Sequence, residues 1–68
     1  MTQGERILRH LHDYGSITAQ DAVREYGCMR LGARIYDLKR QGHDIRTTFE
    51  VSVNRYGEKV NYARYTMH

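Results

Sequence analysis

The residues best suited to do chemistry crowd into one stretch. Arg30, Arg34 and Arg40 fall within eleven residues, with Ala33 and Tyr36 between them. A guanidinium is a planar fork of donors that fits the major-groove edge of guanine or a phosphate. Ala33 is small enough to touch a thymine methyl or to let another backbone come close. Tyr36 offers a ring on which an unpaired base could stack. Further along, Arg55 and Lys59 flank Asn54-Arg55-Tyr56-Gly57, where a turn would hold two cations toward a phosphate or a minor groove. Thr18 begins an apolar-periodic run, and the first N–H groups of a helix there would attract an anion, with Thr18 and Gln20 as donors.

Each of these residues also has an ordinary structural reading. A basic helix face is often only solvated, and a charged turn is ordinary solubility chemistry. Arg34 lies close enough in sequence to Asp37 to form an ion pair, and Asp21 is a second candidate partner. Asp37 would repel phosphate and is better used to hold an arginine. Thr18 fits a helix cap before it fits a phosphate contact. Of the six tyrosines, Tyr14, Tyr26 and Tyr65 sit next to expected core positions, while Tyr36 and Tyr56 are expected to be exposed.

No reaction centre is legible. There is no glycine-rich phosphate loop, no paired carboxylate on a concave scaffold and no nucleophile-base pair with a third group, so the chain reads as a non-enzyme. His10, His12, His43 and His68 do not form a metal-ligand spacing with Cys28, and neither a metal nor a cofactor is expected. Cys28 reads as a small apolar plug.

The elements that must position these residues follow from the hydrophobic period. Thr2-Gln3-Gly4-Glu5 has the capping-box pattern, Ile7, Leu8 and Leu11 repeat at helical spacing, and Gly15 stops the run. A first helix is predicted over about 3–14. Ser16-Ile17 is a short link with one or two residues of strand. A second helix is predicted over 19–26, capped by Thr18 with Asp21 at N3, burying Ala22 and Val23, and ended by Gly27. A third is predicted over about 29–41, with Leu31, Ile35 and Leu38 as its buried stripe and Gly42 as its stop. At ~100° per residue, Ala33, Arg40, Met29 and Tyr36 lie opposite that stripe, Arg30 and Asp37 also point outward, and Arg34 sits on the flank. Gly32 is out of place, costing ~1 kcal/mol relative to Ala unless something packs closely against it.

From Ile45 the period becomes two. Ile45, Thr47, Phe49, Val51 and Val53 alternate with Arg46, Thr48, Glu50, Ser52 and Asn54. A turn at Asn54–Gly57 and a second strand over 59–67 complete a hairpin over about 45–67. In the second strand the apolar residues change parity, with Val60 and Tyr62 on one side and Ala63, Tyr65 and Met67 on the other. A bulge, or a ribbon whose far half leaves the core, accounts for that. A lone hairpin is marginal in water, so its near half must pack on the helices.

Length and composition bound the rest. The 68 residues make one domain, with 40% hydrophobic residues and a formal charge of +3. Residues 1–27 carry a net −1, while 28–44 and 45–68 each carry +2, so the basic excess lies in the last two-thirds. No apolar run suits a membrane span, no leader pattern is present, and the single cysteine fits a reducing compartment.

Helix, link, helix, tight turn, helix and hairpin, in that order, resembles the winged helix-turn-helix fold: α+β, three helices followed by a two-stranded β-hairpin wing, in one domain over 1–68. The resemblance rests on Gly27 in the turn, on Leu31, Ile35, Leu38 and Gly42, and on the 45–67 hairpin. The stretch from Arg30 to Ile45 is also similar to small helix-turn-helix proteins of bacteriophages and prophages. The turn after Gly27 is short for such sequences. The resemblance implies double-stranded DNA as partner, with helix three in the major groove and the wing on the backbone or minor groove. It implies a small phage or prophage transcriptional regulator or recombination accessory factor, in the bacterial cytoplasm at the nucleoid. A homodimer or tandem binding would supplement the few cations of one module. The second reading, from a different class, is a phage protein-binding module that inhibits or redirects a host protein.

Overall fold

The computed structural model describes residues 2–68. The element order is α1 (Gln3–Tyr14), β1 (Ser16–Thr18), α2 (Ala19–Tyr26), α3 (Leu31–Arg40), β2 (Ile45–Val53) and β3 (Lys59–Met67).

Local chemistry sets the helix ends. The Thr2 hydroxyl accepts from the Glu5 N–H, and the Glu5 carboxylate accepts from the Thr2 N–H. Thr18 and Asp21 repeat the same reciprocal box at α2. Each box satisfies N–H groups that a helix end leaves without a partner. Gly27 takes a left-handed φ of 63° after α2, and the Cys28 N–H reaches back to the Ala22 carbonyl at 3.0 Å. That reversal is what lets the chain start α3 at an angle to α2. The α3 end is a Schellman closure, with Gly42 N–H on the Lys39 carbonyl and His43 N–H on the Leu38 carbonyl.

Helix α3 is shorter than the predicted 29–41. Met29 and Arg30 belong to the turn, and Arg30 is the N-cap residue, with a non-helical backbone at φ −127° and ψ 56°. Its carbonyl accepts from the N–H groups of Ala33 and Arg34. Periodicity could not see this. The apolar stripe starts at Leu31, and no Ser, Thr, Asp or Asn stands ahead of it to mark the cap.

The sheet has three strands rather than two, in the order β1-β3-β2, all antiparallel. Ser16, Ile17 and Thr18 pair with Thr66, Tyr65 and Arg64. The wing is therefore anchored to the segment between α1 and α2. Ile7, Leu11, Ile17, Ala22, Cys28, Leu31, Ile35, Leu38 and Ile45 form the core, with Leu8, Tyr26, Tyr65 and Met67 packed at its margin. Cys28 is a buried free thiol in the turn between α2 and α3.

Val23, expected in the core, and Tyr14, expected beside it, both lie outside. Val23 is 45% exposed, because this short helix turns Ala22 and Tyr26 toward the core instead. Tyr14 is 74% exposed and sits against the His10 ring instead of the core. The wing does leave the core along its far half. Only Ile45 of β2 is buried, whereas Phe49, Val51 and Val53 on the same face are exposed. The molecule is correspondingly long, 39 by 22 by 20 Å.

Candidate nucleic-acid interface

The exposed side of α3 is anchored from behind. Leu31, Ile35 and Leu38 are buried, which fixes the rotation of the helix and turns Gly32, Tyr36 and Arg40 outward. The Arg40 guanidinium carbon lies 5.8 Å from the centroid of the Tyr36 ring. A cation over a ring face is attracted by the ring quadrupole, so the pair stiffens one long side chain. Lys39 is exposed beside them and adds a cation that the sequence reading left out of the site.

Arg34 and Ala33 stand apart from that exposed row. Both are half-buried. Arg34 Nη2 lies 3.5 Å from Asp37 Oδ2, one helical turn on, as an ion pair within α3. Its Nε is buried and has no hydrogen-bond partner among the described residues. Arg34 is thus held along the helix rather than projected from it. Arg30 is fully outside, but from the turn ahead of α3 and not from the helix.

Thr18 is buried at the N-cap of α2, its hydroxyl accepting from the Asp21 N–H at 3.3 Å. Burial pushes the Asp21 carboxyl up, but the Thr18 N–H, the Thr18 hydroxyl and the Arg24 charge together outweigh it and leave the group below its ordinary value. The positive end of α2 borders an open cleft of about 500 Å³, whose other wall is the wing, with Ser52, Asn54, Tyr62 and Arg64 among its lining residues.

The wing tip is built by Asn54. Its side-chain oxygen accepts from the N–H groups of Tyr56 and Glu58 at 2.9 and 3.0 Å, and Gly57 closes the turn at φ 78°. Arg55 stands within that closed turn and Lys59 follows it, both exposed. Lower on the wing, Arg64 donates to Glu50 on β2 and to the Ser16 hydroxyl on β1, clipping all three strands on one face. Glu50 accordingly holds the Arg64 proton more tightly than usual.

The ion pairs sort the cations into two sets. Arg9 is paired with Asp13, Arg24 with Asp21 and Glu25, Arg34 with Asp37, Arg46 with Asp44, and Arg64 with Glu50. Among the described residues, Arg30, Lys39, Arg40, Arg55 and Lys59 have no carboxylate partner, and Arg6 is the sole further case. Five of these six unpaired cations therefore lie on α3, on the turn ahead of it and at the wing tip, and the sixth, Arg6, lies on α1. No three metal-ligating side chains converge among the described residues, and no helix is long and apolar enough to cross a membrane.

The model of the winged helix-turn-helix domain family matches residues 2–68, and the chain belongs to that family. Membership suggests double-stranded DNA as the partner and a fold that is typically non-enzymatic. No curated protein and no solved structure matches the chain.

Proposed function

We propose that the protein is a sequence-specific double-stranded DNA-binding module that places α3 in a major groove and the wing tip on the flanking backbone or minor groove. The observation that carries this is the sorting of the cations: five of the six left without carboxylates gather on α3, its leading turn and the wing, with Arg6 on α1 the exception. Phosphates dominate the affinity of such interfaces, and base edges supply the specificity.

Arg40 and Tyr36 read the groove from the helix. Arg30 reaches from the turn ahead of it. Arg55 and Lys59 hold the wing tip to phosphate. Ala33 is the small residue beside the reading face, and Arg34 supports the helix through Asp37. Thr18 orders the positive end of α2, whose first N–H groups face a phosphate.

The role we assign is that of a small phage or prophage transcriptional regulator or recombination accessory factor, acting in the bacterial cytoplasm at the nucleoid. A module with so few free cations gains from a second copy on a neighbouring site.

The test is a titration on duplex DNA at two salt concentrations, after selection of bound fragments from random duplexes. Selection should enrich one site, and binding should weaken steeply with salt. Arg30→Ala with Arg40→Ala should abolish binding without unfolding the chain. Failure to enrich any site, together with capture of a host protein that survives nuclease treatment, would replace this reading by that of a protein-binding module.

A further inference from the structure

The outer edge of the wing carries a pattern that DNA contact does not account for. Strand β2 is a sheet edge along its whole length, because the strand order is β1-β3-β2. Ile45–Val53 contains no proline and no lysine, and its charged side chains are Arg46 and Glu50, of opposite sign. Natural proteins usually protect so long an edge, since its free N–H and C=O groups invite another strand.

The backbone parity is fixed by the ends of the hairpin. The Asn54 N–H bonds the Glu58 carbonyl, and the His68 N–H bonds the Asp44 carbonyl, each at 3.0 Å. Residues of even number on β2 therefore turn their backbone groups toward β3. Those of odd number, Thr47, Phe49 and Val51 among them, turn theirs to the open side. Their side chains form the exposed apolar row, with Phe49 77%, Val51 62% and Val53 62% exposed.

On the opposite face stand two opposite charges, Arg46 and Glu50, with Thr48 midway. The Arg46 side chain is 69% exposed and only loosely paired, its Nε 3.9 Å from Asp44. Glu50 engages Arg64 through one carboxylate oxygen, Oε1, which leaves the other for a second donor.

We propose that β2 is a self-association edge, and that its occupant is the β2 strand of a second copy, antiparallel about a two-fold axis at Thr48. In that register each Arg46 stands opposite the other copy's Glu50, twice by symmetry. Thr48 meets its own counterpart. Thr47 pairs with Phe49, twice by symmetry, and these pairs use backbone groups that point to the open side. Aromatic to β-branched, threonine to threonine and opposite-charge pairs are the favourable cross-strand combinations. A two-fold interface needs such self-complementarity. The result is one continuous sheet of six strands through two molecules, with Glu50 held between Arg64 on its own chain and Arg46 on the other. This inference stands apart from the DNA reading and is tested without DNA.

The experiment is sedimentation equilibrium of the full chain over a concentration series, with circular dichroism to verify folding. The parent should show a monomer-dimer equilibrium. Arg46→Glu turns both symmetric pairs repulsive and should weaken association by about tenfold or more. Thr47→Pro removes an N–H that faces the open side and no bond to β3, so it should give a folded monomer. Mixing Arg46→Glu with Glu50→Arg should restore association as a heterodimer, because both pairs are then attractive again. A parent that stays monomeric throughout, or variants Arg46→Glu and Thr47→Pro that associate as the parent does, would overturn the proposal. So would a monomer whose Phe49 row is instead needed to capture a different protein.

Discussion

A Cβ added to Gly32 would meet the Tyr65 hydroxyl at 3.8 Å and nothing else within 4 Å. That distance is ordinary contact, and Gly32 lies within α3 with a negative φ. The protein interior therefore does not require glycine at this position. A glycine in a helix lowers stability by up to about 1 kcal/mol relative to alanine. A glycine on the exposed side of α3 leaves room there for an external surface to come close. Gly32→Ala should raise the thermal midpoint by roughly 4–8 °C per kcal/mol gained while weakening DNA binding. A calorimetric scan paired with a DNA titration checks both; a gain in stability with unchanged DNA affinity would remove Gly32 from the interface.

The exposed cations should register one at a time in the salt dependence. Each phosphate contact adds about 0.9 to the slope of log affinity against log salt. Arg40→Ala and Arg55→Ala should each lower that slope by about one. Arg34→Ala should not, because Arg34 is paired to Asp37 and half-buried. Its loss should appear instead as lower helix stability in thermal unfolding.

Acid should unfold the protein partly through Asp21. Its carboxyl lies below its ordinary value of 3.8. For a carboxylate whose folded value is depressed, the stability gained is present above the unfolded value and is lost as pH falls through the folded one. The loss therefore falls below about pH 4. Asp21→Asn should flatten that limb of the stability-pH curve, measured by denaturant titration. Thr18→Ala removes the other half of the box and should cost about 1 kcal/mol at neutral pH.

The hydroxyl of Tyr26 lies 2.7 Å from His10 Nδ1, joining the end of α2 to α1. Burial, with the charge of Glu25 next, raises the phenol above its ordinary value of 10.0. A group raised in the folded state contributes fully below the unfolded value, and that contribution is lost as pH climbs through the folded one. Stability should thus decline above about pH 10. Tyr26→Phe should cost about 1 kcal/mol at neutral pH and remove this alkaline limb.

Much of this fold was legible because its signals are local. Two capping boxes, a left-handed Gly27 and the Leu31-Ile35-Leu38 stripe can be read from neighbours in the chain, and the helices α1 and α2 fall where those signals place them. The start of α3 was not legible, since Arg30 caps it through backbone geometry with no side-chain signal. The third strand was legible only in part: one or two residues of strand at Ser16-Ile17 can be expected from the chain, but their pairing with Arg64–Thr66, remote in sequence, cannot. Alternation marked Phe49, Val51 and Val53 as one face, and the parity change in the second strand allowed either a bulge or a ribbon leaving the core; the choice depends on where the helices stop, which is not a local signal. Residue type picked out Arg30, Arg40, Arg55 and Lys59 as candidates for the site, whereas coordinates were needed to separate Arg34, paired with Asp37, from the free cations.

The Ser16 hydroxyl and Arg64 are 48 residues apart and hydrogen-bonded. Every residue of α2, α3 and the hairpin tip lies inside the loop of chain that this contact closes. Drawing so long a loop together is a late and entropically expensive event. The helices should consequently assemble first, and the wing should lock last, when β3 closes onto Ser16–Thr18.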